Sequence, residues 1–233
     1  MSKTILITGS TDGIGKLLAL RLAKEGHFVA VHGRNQAKLA STVKEIKEQS
    51  DNGNIIGFLA DFSDLEEVRK MAKEVSDEMP KIDVLVNNAG ILSSRTNTAS
   101  NGVDIRLVVN YLAPYALTNA VMPLLKKADA PRIVNLWSFD LAEKEPSIIV
   151  VAVNPGSLLN TKMAHEAYGQ HWSPAEKGVN ILYDLGMTDK ARTKAYFDND
   201  KGGYGDAHPD AYDKVKIRQL IAVTNEVLGN PVP

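Results

Sequence analysis

Apolar positions along the chain fall into short unbroken runs separated by stretches with helical spacing. The runs are Thr4–Ile7, Phe28–Val31, Ile55–Ala60, Ile82–Val86, Ile133–Trp137 and Ile148–Val153. Between the first two, Gly13 to Glu25 carries Ile14, Leu17, Leu18 and Leu22 at helical spacing and stops at Gly26. A second helix places Leu39, Val43 and Ile46 together. A third begins near the capping residues Ser63 and Asp64 and aligns Leu65, Val68, Ala72, Val75 and Met79. The pattern then predicts one long helix over roughly 100–127, kinked at Pro114 and Pro123. Beyond the sixth run it predicts a helix near Ala175–Leu185, a short strand at Lys194–Phe197 and a last helix from about Pro209 to Leu228. The polar, glycine-rich stretch Lys201–His208 reads as a loop. Unbroken apolar strands alternating with helices predict a parallel sheet of about seven strands with helices on both faces, a doubly wound α/β fold. No linker or repeat divides residues 1–233, so the expectation is one domain.

Composition narrows the function. Net charge is −1, which argues against nucleic acid or an anionic membrane as the main partner. The chain has no cysteine, so disulfides, thiolate nucleophiles and cysteine-ligated metals are excluded. That suits a reducing compartment. The start, MSKTILITGS, reads as a first strand without a signal-peptide core, and no apolar window is long enough to span a bilayer. A cytoplasmic location is the expectation. The histidines at 27, 32, 165, 171 and 208 show no metal-ligand spacing and read as surface or strand-end residues, so no catalytic metal is expected.

The chemistry-bearing feature is the turn after the first strand. Gly9, Ser10, Thr11, Asp12, Gly13, Ile14 and Gly15 join that strand to the first helix. Glycine permits a tight turn and close approach of a pyrophosphate, and the helix N-terminus offers free N–H groups and positive dipole. The spacing is G-x-x-x-G-x-G. An NAD site usually has an acid about 20 residues further on, for the ribose hydroxyls. Gly33 occupies that place, and there is no Asp or Glu from Gly26 to Lys44. Arg34, with Asn35 beside it, is placed to grip a 2′-phosphate in a forked geometry, which favours NADP(H) over NAD(H).

These residues resemble the short-chain dehydrogenase/reductase family. The turn TGSTDGIG, Asn87-Asn88-Ala89-Gly90 after the fourth strand, the stretch RIVNLWS, and Pro155-Gly156 after the sixth strand stand in that family's order. The segment KAYFDNDKGGYGDAHPDAYDK is similar to the retinol-dehydrogenase-like branch. The resemblance implies a Rossmann-type fold and hydride transfer between NADP and a small-molecule carbonyl or alcohol. It implies that Gly9, Gly13, Ile14 and Gly15 hold the pyrophosphate. Asp61 would contact the adenine with Phe62 beside it, while Asn88, Ala89 and Gly90 would line the adenosine ribose and the sheet edge. In the loop that starts at Pro155 and Gly156, Thr161 would hold the nicotinamide carboxamide. Ser138 would hydrogen-bond the substrate carbonyl, and Asn110 would belong to the proton relay. Met163, Tyr168 and Trp172 fall where the family covers its substrate. A homodimer or homotetramer is a further implication, because members often pair through the long helices after strands four and five.

One part of the family pattern is missing. The proton donor is a tyrosine, followed four residues later by a lysine that favours phenolate, on the helix between strands five and six. Here only residues 138 to 147 separate those strands, and no tyrosine occurs between Tyr115 and Tyr168. Parallel neighbours normally need a crossover of about a dozen residues or more. Ten extended residues span roughly 33 Å, enough to return the chain but not to cover the sheet. The expectation is therefore that the covering helix is absent from this sequence. Either about thirty residues, the scale of a βαβ unit, belong here in the intact polypeptide, or the protein is a dinucleotide-binding module without turnover. Tyr212 and Lys216 repeat the Tyr-x-x-x-Lys spacing on the last helix, in the wrong topological place.

Overall fold

The structure is a computed structural model and describes residues 2–92, 96–135 and 139–229. The described strands are β1 Thr4–Ile7, β2 Phe28–Gly33, β3 Ile55–Leu59, β4 Val84–Val86, β5 Arg132–Asn135, β6 Ile149–Asn154, β7 Ala195–Asp198 and β8 Gly203–Gly205. They form one sheet in the order β3-β2-β1-β4-β5-β6-β7-β8. Every pairing is parallel except β7 with β8. The eighth strand lies within the stretch expected to be a loop.

The unbroken apolar runs follow from burial on both faces. Ile5 and Ile7 of β1 pack with Val29, Val31, Val84 and Val86 against α1 (Gly13–Lys24), α2 (Gln36–Ser50) and α9 (Ala175–Met187). Leu6, between them in sequence, points to the opposite face. There it joins Ala30, Leu85 and Ile133 against α3 (Leu65–Glu78) and the segment 105–125. Polar side chains cap the helices. Asp12, Asn35 and Asp64 each accept a backbone N–H in the first turn of α1, α2 and α3.

The long helix is not continuous. It divides into α4 (Ile105–Leu107), a π-helical turn at Val108–Leu112, α5 (Ala113–Ala120) and α6 (Met122–Leu125). Pro114 and Pro123 sit in first turns, where a missing N–H costs nothing, rather than kinking an interior. The last helix likewise begins later than expected. A 3-10 turn at Pro209–Ala211 precedes α10 (Lys214–Leu228), which packs Ile221 and Leu228 on Val108, Leu112 and Tyr115. One further helix, α8 (Lys162–Tyr168), follows the loop after β6.

The β5–β6 crossover corrects the expectation that no helix covers β6. α7 (Phe139–Lys144) occupies it and buries Leu141 and Ala142 in the same cluster as Ile133, Ile148 and Val150. Six residues of helix extend only about 9 Å, so Leu141 carries much of the cover. Leu141→Ala should cost about 2–4 kcal/mol in urea unfolding; a loss below about 0.5 kcal/mol would show that α7 does not shield the sheet.

Candidate dinucleotide site

β1 and β4 are neighbours, while the chain leaves β1 toward β2 on one side and β4 toward β5 on the other. Their C-terminal ends therefore flank the switch-point crevice of a doubly wound sheet. The glycine turn lies on one side and residues 87–92 on the other. The two are locked together. Thr8 Oγ1 accepts the N–H groups of Asn88 and Ala89, each at 3.0 Å. Asn88 Nδ2 donates to Thr8 O at 2.9 Å and Gly9 O at 3.0 Å. A Cβ at Gly9 would lie 2.7 Å from Ala89 Cα, and Gly9 has φ +63°. A Cβ at Gly15 would lie 2.5 Å from Asn88 Nδ2 and 2.6 Å from Gly9 O. No side chain fits at either position.

Several residues expected at the ligand also have partners within the protein. The Asn88 and Ala89 N–H groups and Asn88 Nδ2 bond to the turn itself. Ser10 is fully buried; its Oγ donates to Ile7 O at 2.7 Å and accepts the His32 N–H at 2.9 Å. Asp12 accepts the Gly13 N–H at 2.8 Å and pairs with Lys38 on α2. Burial alone would raise the Asp12 carboxyl, but the Lys38 ammonium and the Gly13 N–H outweigh it and hold it below its usual range. The first intrahelical bond of α1 is Lys16 N–H to Asp12 O at 3.2 Å. The Ile14 and Gly15 N–H groups therefore have no intrahelical acceptor and stand at the positive end of the helix. These are the donors a pyrophosphate could use.

The far wall is the loop after β6. Thr161 caps α8 through Ala164 N–H at 3.3 Å, and its Cγ2 lies 3.4 Å from where a Gly13 side chain would begin. Pro155 O accepts Asn199 Nδ2 at 2.8 Å, and Gly156 N–H donates to Asn154 Oδ1 at 3.0 Å. Asp200 Oδ2 accepts the Ser157 hydroxyl at 2.6 Å, and Lys177 Nζ approaches Oδ1 at 3.2 Å. Those partners hold the Asp200 carboxyl well below the usual carboxylate range, the Ser157 hydroxyl most of all.

At the adenosine end, Arg34 is exposed, with Nη1 3.9 Å from Asp61 Oδ2. Asn35 is engaged as the α2 cap through Lys38 N–H at 2.9 Å. Asp61 Oδ1 accepts Ser63 N–H at 2.9 Å in the turn before α3. Phe62, next to Asp61, packs into the protein. It is buried and stacks on the His32 ring with centroids 4.2 Å apart. Asn110 lies in the π-helical turn and clamps Ile91, accepting its N–H at 2.8 Å and donating to its carbonyl at 2.9 Å. It sits directly against Gly90. Ser138 lies outside the described residues. Met163, Tyr168 and Trp172 are exposed beyond Thr161. The Tyr212 hydroxyl accepts Ala207 N–H at 2.9 Å, and Lys216 pairs with Asp210. No group of three or more His, Asp or Glu side chains suited to a metal occurs among the described residues.

Sequence reasoning missed Lys38, Asp200 and above all His32. Its signal was a histidine inside the apolar run FVAVHG. His32 is 3% exposed. Its Nε2 meets Ala60 O at 3.0 Å and must donate, so Nδ1 is free to accept the Gly9 N–H at 3.0 Å. Burial lowers its pKa from 6.5 to about 4, against raising contributions from the Ala60 carbonyl and Asp61. The folded state thus favours neutral imidazole. That contribution is full above pH 6.5 and is lost as pH falls from 6.5 to about 4. His27, lowered mainly by burial, acts in the same direction. The drop from His32 should reach about 3 kcal/mol, measured as wild-type minus His32→Asn unfolding free energy across that window. Parallel pH profiles for the two chains would contradict it.

The sheet order, with a crevice at its switch point, defines a doubly wound Rossmann-like α/β protein. Comparison with known proteins gives the family. The short chain dehydrogenase family profile matches residues 3–140, and the chain belongs to that family, in its retinol-dehydrogenase-like branch. The match ends within α7. Retinol dehydrogenase 13 of Mus musculus is 35% identical over 136 residues, covering 58% of this chain and 41% of that protein. Dehydrogenase/reductase SDR family member 13 of Bos taurus is 33% identical over 187 residues, covering 77% of this chain and 49% of that one. The chain thus spans less than half the length of these relatives. A putative short chain dehydrogenase from Escherichia coli CFT073, solved in complex with NADPH, superposes with TM-score 0.73 at 25% identity, covering 84% of this chain and 96% of the other. No helix among the described residues is long and apolar enough to cross a membrane.

Proposed function

We propose that residues 1–233 form one NADP-dependent oxidoreductase domain acting on a small-molecule carbonyl or alcohol. The observation that carries this reading is the glycine turn. It presents the Ile14 and Gly15 N–H groups in the switch-point crevice, with Thr161 on the opposite wall. The cradle fits a dinucleotide pyrophosphate. When bound, the dinucleotide supplies or accepts a hydride at its nicotinamide. Thr161 would hold the carboxamide, Ser138 would orient the substrate carbonyl, and Asn110 would support a water relay.

Two observations favour a 2′-phosphate. Gly33 leaves no acid at the end of β2, and Arg34 is exposed beside the crevice. The NADPH and NADP complexes of structural neighbours support the same preference. A cytoplasmic location and a homodimer or homotetramer go with this reading.

A second reading has a specific observation behind it. Among the described residues, the helix in the crossover that carries the family's tyrosine and lysine is α7, six residues long. Tyr111 and Tyr115 do not replace them. Burial raises both phenols, and the Tyr111 hydroxyl lies 3.0 Å from Thr224 Oγ1 on α10. The alternative is an NADP(H)-binding sensor or scaffold without turnover.

Fluorescence titration with NADPH, followed by turnover assays on aromatic and long-chain aldehydes, separates the two. The first reading predicts binding and oxidation, and the second predicts binding alone. Arg34→Ala should weaken NADPH about tenfold or more, as expected for a charge-assisted pair, and leave NADH nearly unchanged. Equal loss for both dinucleotides would contradict the 2′-phosphate assignment.

A further inference from the structure

We propose that His32 is the positioning residue of the dinucleotide cradle, a role that rests on the dinucleotide reading above. A histidine in the middle of a parallel sheet must satisfy both ring nitrogens or leave a buried polar atom unpaired. His32 satisfies them with two different elements. Nε2–H donates to Ala60 O at the end of β3, and Nδ1 accepts the Gly9 N–H. Its backbone holds the next residue of the turn as well. Ser10 N–H donates to His32 O at 2.9 Å, and His32 N–H donates to Ser10 Oγ at 2.9 Å. Phe62 stacks on the ring at an interplanar angle of 26°. The imidazole is therefore held at both nitrogens and stacked on one face.

The consequence falls on Gly9. Its carbonyl is held by Asn88, its Cα is pressed against Ala89, and its N–H is held by His32. With the Gly9 and Gly13 N–H groups consumed inside the turn, Ile14 and Gly15 are left facing the ligand position. Without an acceptor at Nδ1, the part-buried Gly9 N–H would lose its partner. The turn could relieve that only by moving, and the cradle would move with it. In this role His32 acts through Gly9, whose N–H it holds.

The test compares two substitutions that each keep half of the ring. Asn offers an oxygen near the Nδ1 position, and Gln reaches toward Ala60 but offers no acceptor at Nδ1. NADPH affinity should stay within about threefold of wild type in His32→Asn. It should fall roughly ten- to a hundredfold in His32→Gln, at equal folded fraction by circular dichroism. Equal affinities for the two variants, with wild type binding, would overturn the proposal alone. No dinucleotide binding by wild type would overturn the underlying reading and the proposal with it. A wild-type measurement needs no variant to fold. The ring 15N resonances of His32 should report an unprotonated Nδ1 at neutral pH and should shift on addition of NADPH. Resonances that ignore NADPH would overturn the proposal.

Discussion

The contact between the glycine turn and the end of β4 is the constraint on which the site depends. Gly9 meets Ala89 and Gly15 meets Asn88 at distances that no side chain could occupy. Thr8 and Asn88 then stitch the two segments with backbone-to-side-chain hydrogen bonds. Because this happens where the strand order reverses, it sets the floor of the crevice and the direction in which α1 leaves it. The turn is thus part of the sheet's packing rather than a mobile loop laid over it.

Polar satisfaction decides which groups remain for chemistry. Buried donors and acceptors are normally paired, and the turn pairs most of its own. Ser10 serves Ile7 and His32, Asp12 serves Gly13, and His32 serves Gly9. The opposite wall is fixed in the same manner but with charge, through Asp200 on Ser157 and Lys177. A negative side chain at Asp12, close to where an anion would bind, is offset by Lys38. What is left is a small set of N–H groups at a helix N-terminus between two rigid walls, the arrangement that stabilises a bound anion without reorganisation.

Much of the fold was legible because strands buried on both faces must be apolar at every position. β1, β2 and β6 announce themselves in this way, and the glycine turn announces itself by its place between β1 and α1. Other features leave little trace in the chain. Proline at 114 and 123 marks helix starts as readily as kinks, so the broken segment 105–125 reads as one helix. α7 is too short for a periodic signal, and Leu141 and Ala142 alone disclose its buried side. At the site, the residue types were legible and their partners were not. Phe62 and Ser10 are the kinds of residue that line a cofactor, yet packing turns both inward. His32 looked like one more strand-end histidine until its two hydrogen-bonding partners, distant in sequence, were brought to it.

The retained family framework and the shortened crossover place the weight of the account on the cradle itself. A titration of the 15N-labelled chain with NADPH, followed by amide resonances, tests it most directly. Ile14 and Gly15 should show the largest shifts, with Thr161 moving and the strand ends at Asp83 and Arg132, at the opposite edge of the sheet, unchanged. Shifts that spare Ile14 and Gly15, or that centre on the opposite edge, would contradict the assignment of this turn as the dinucleotide site.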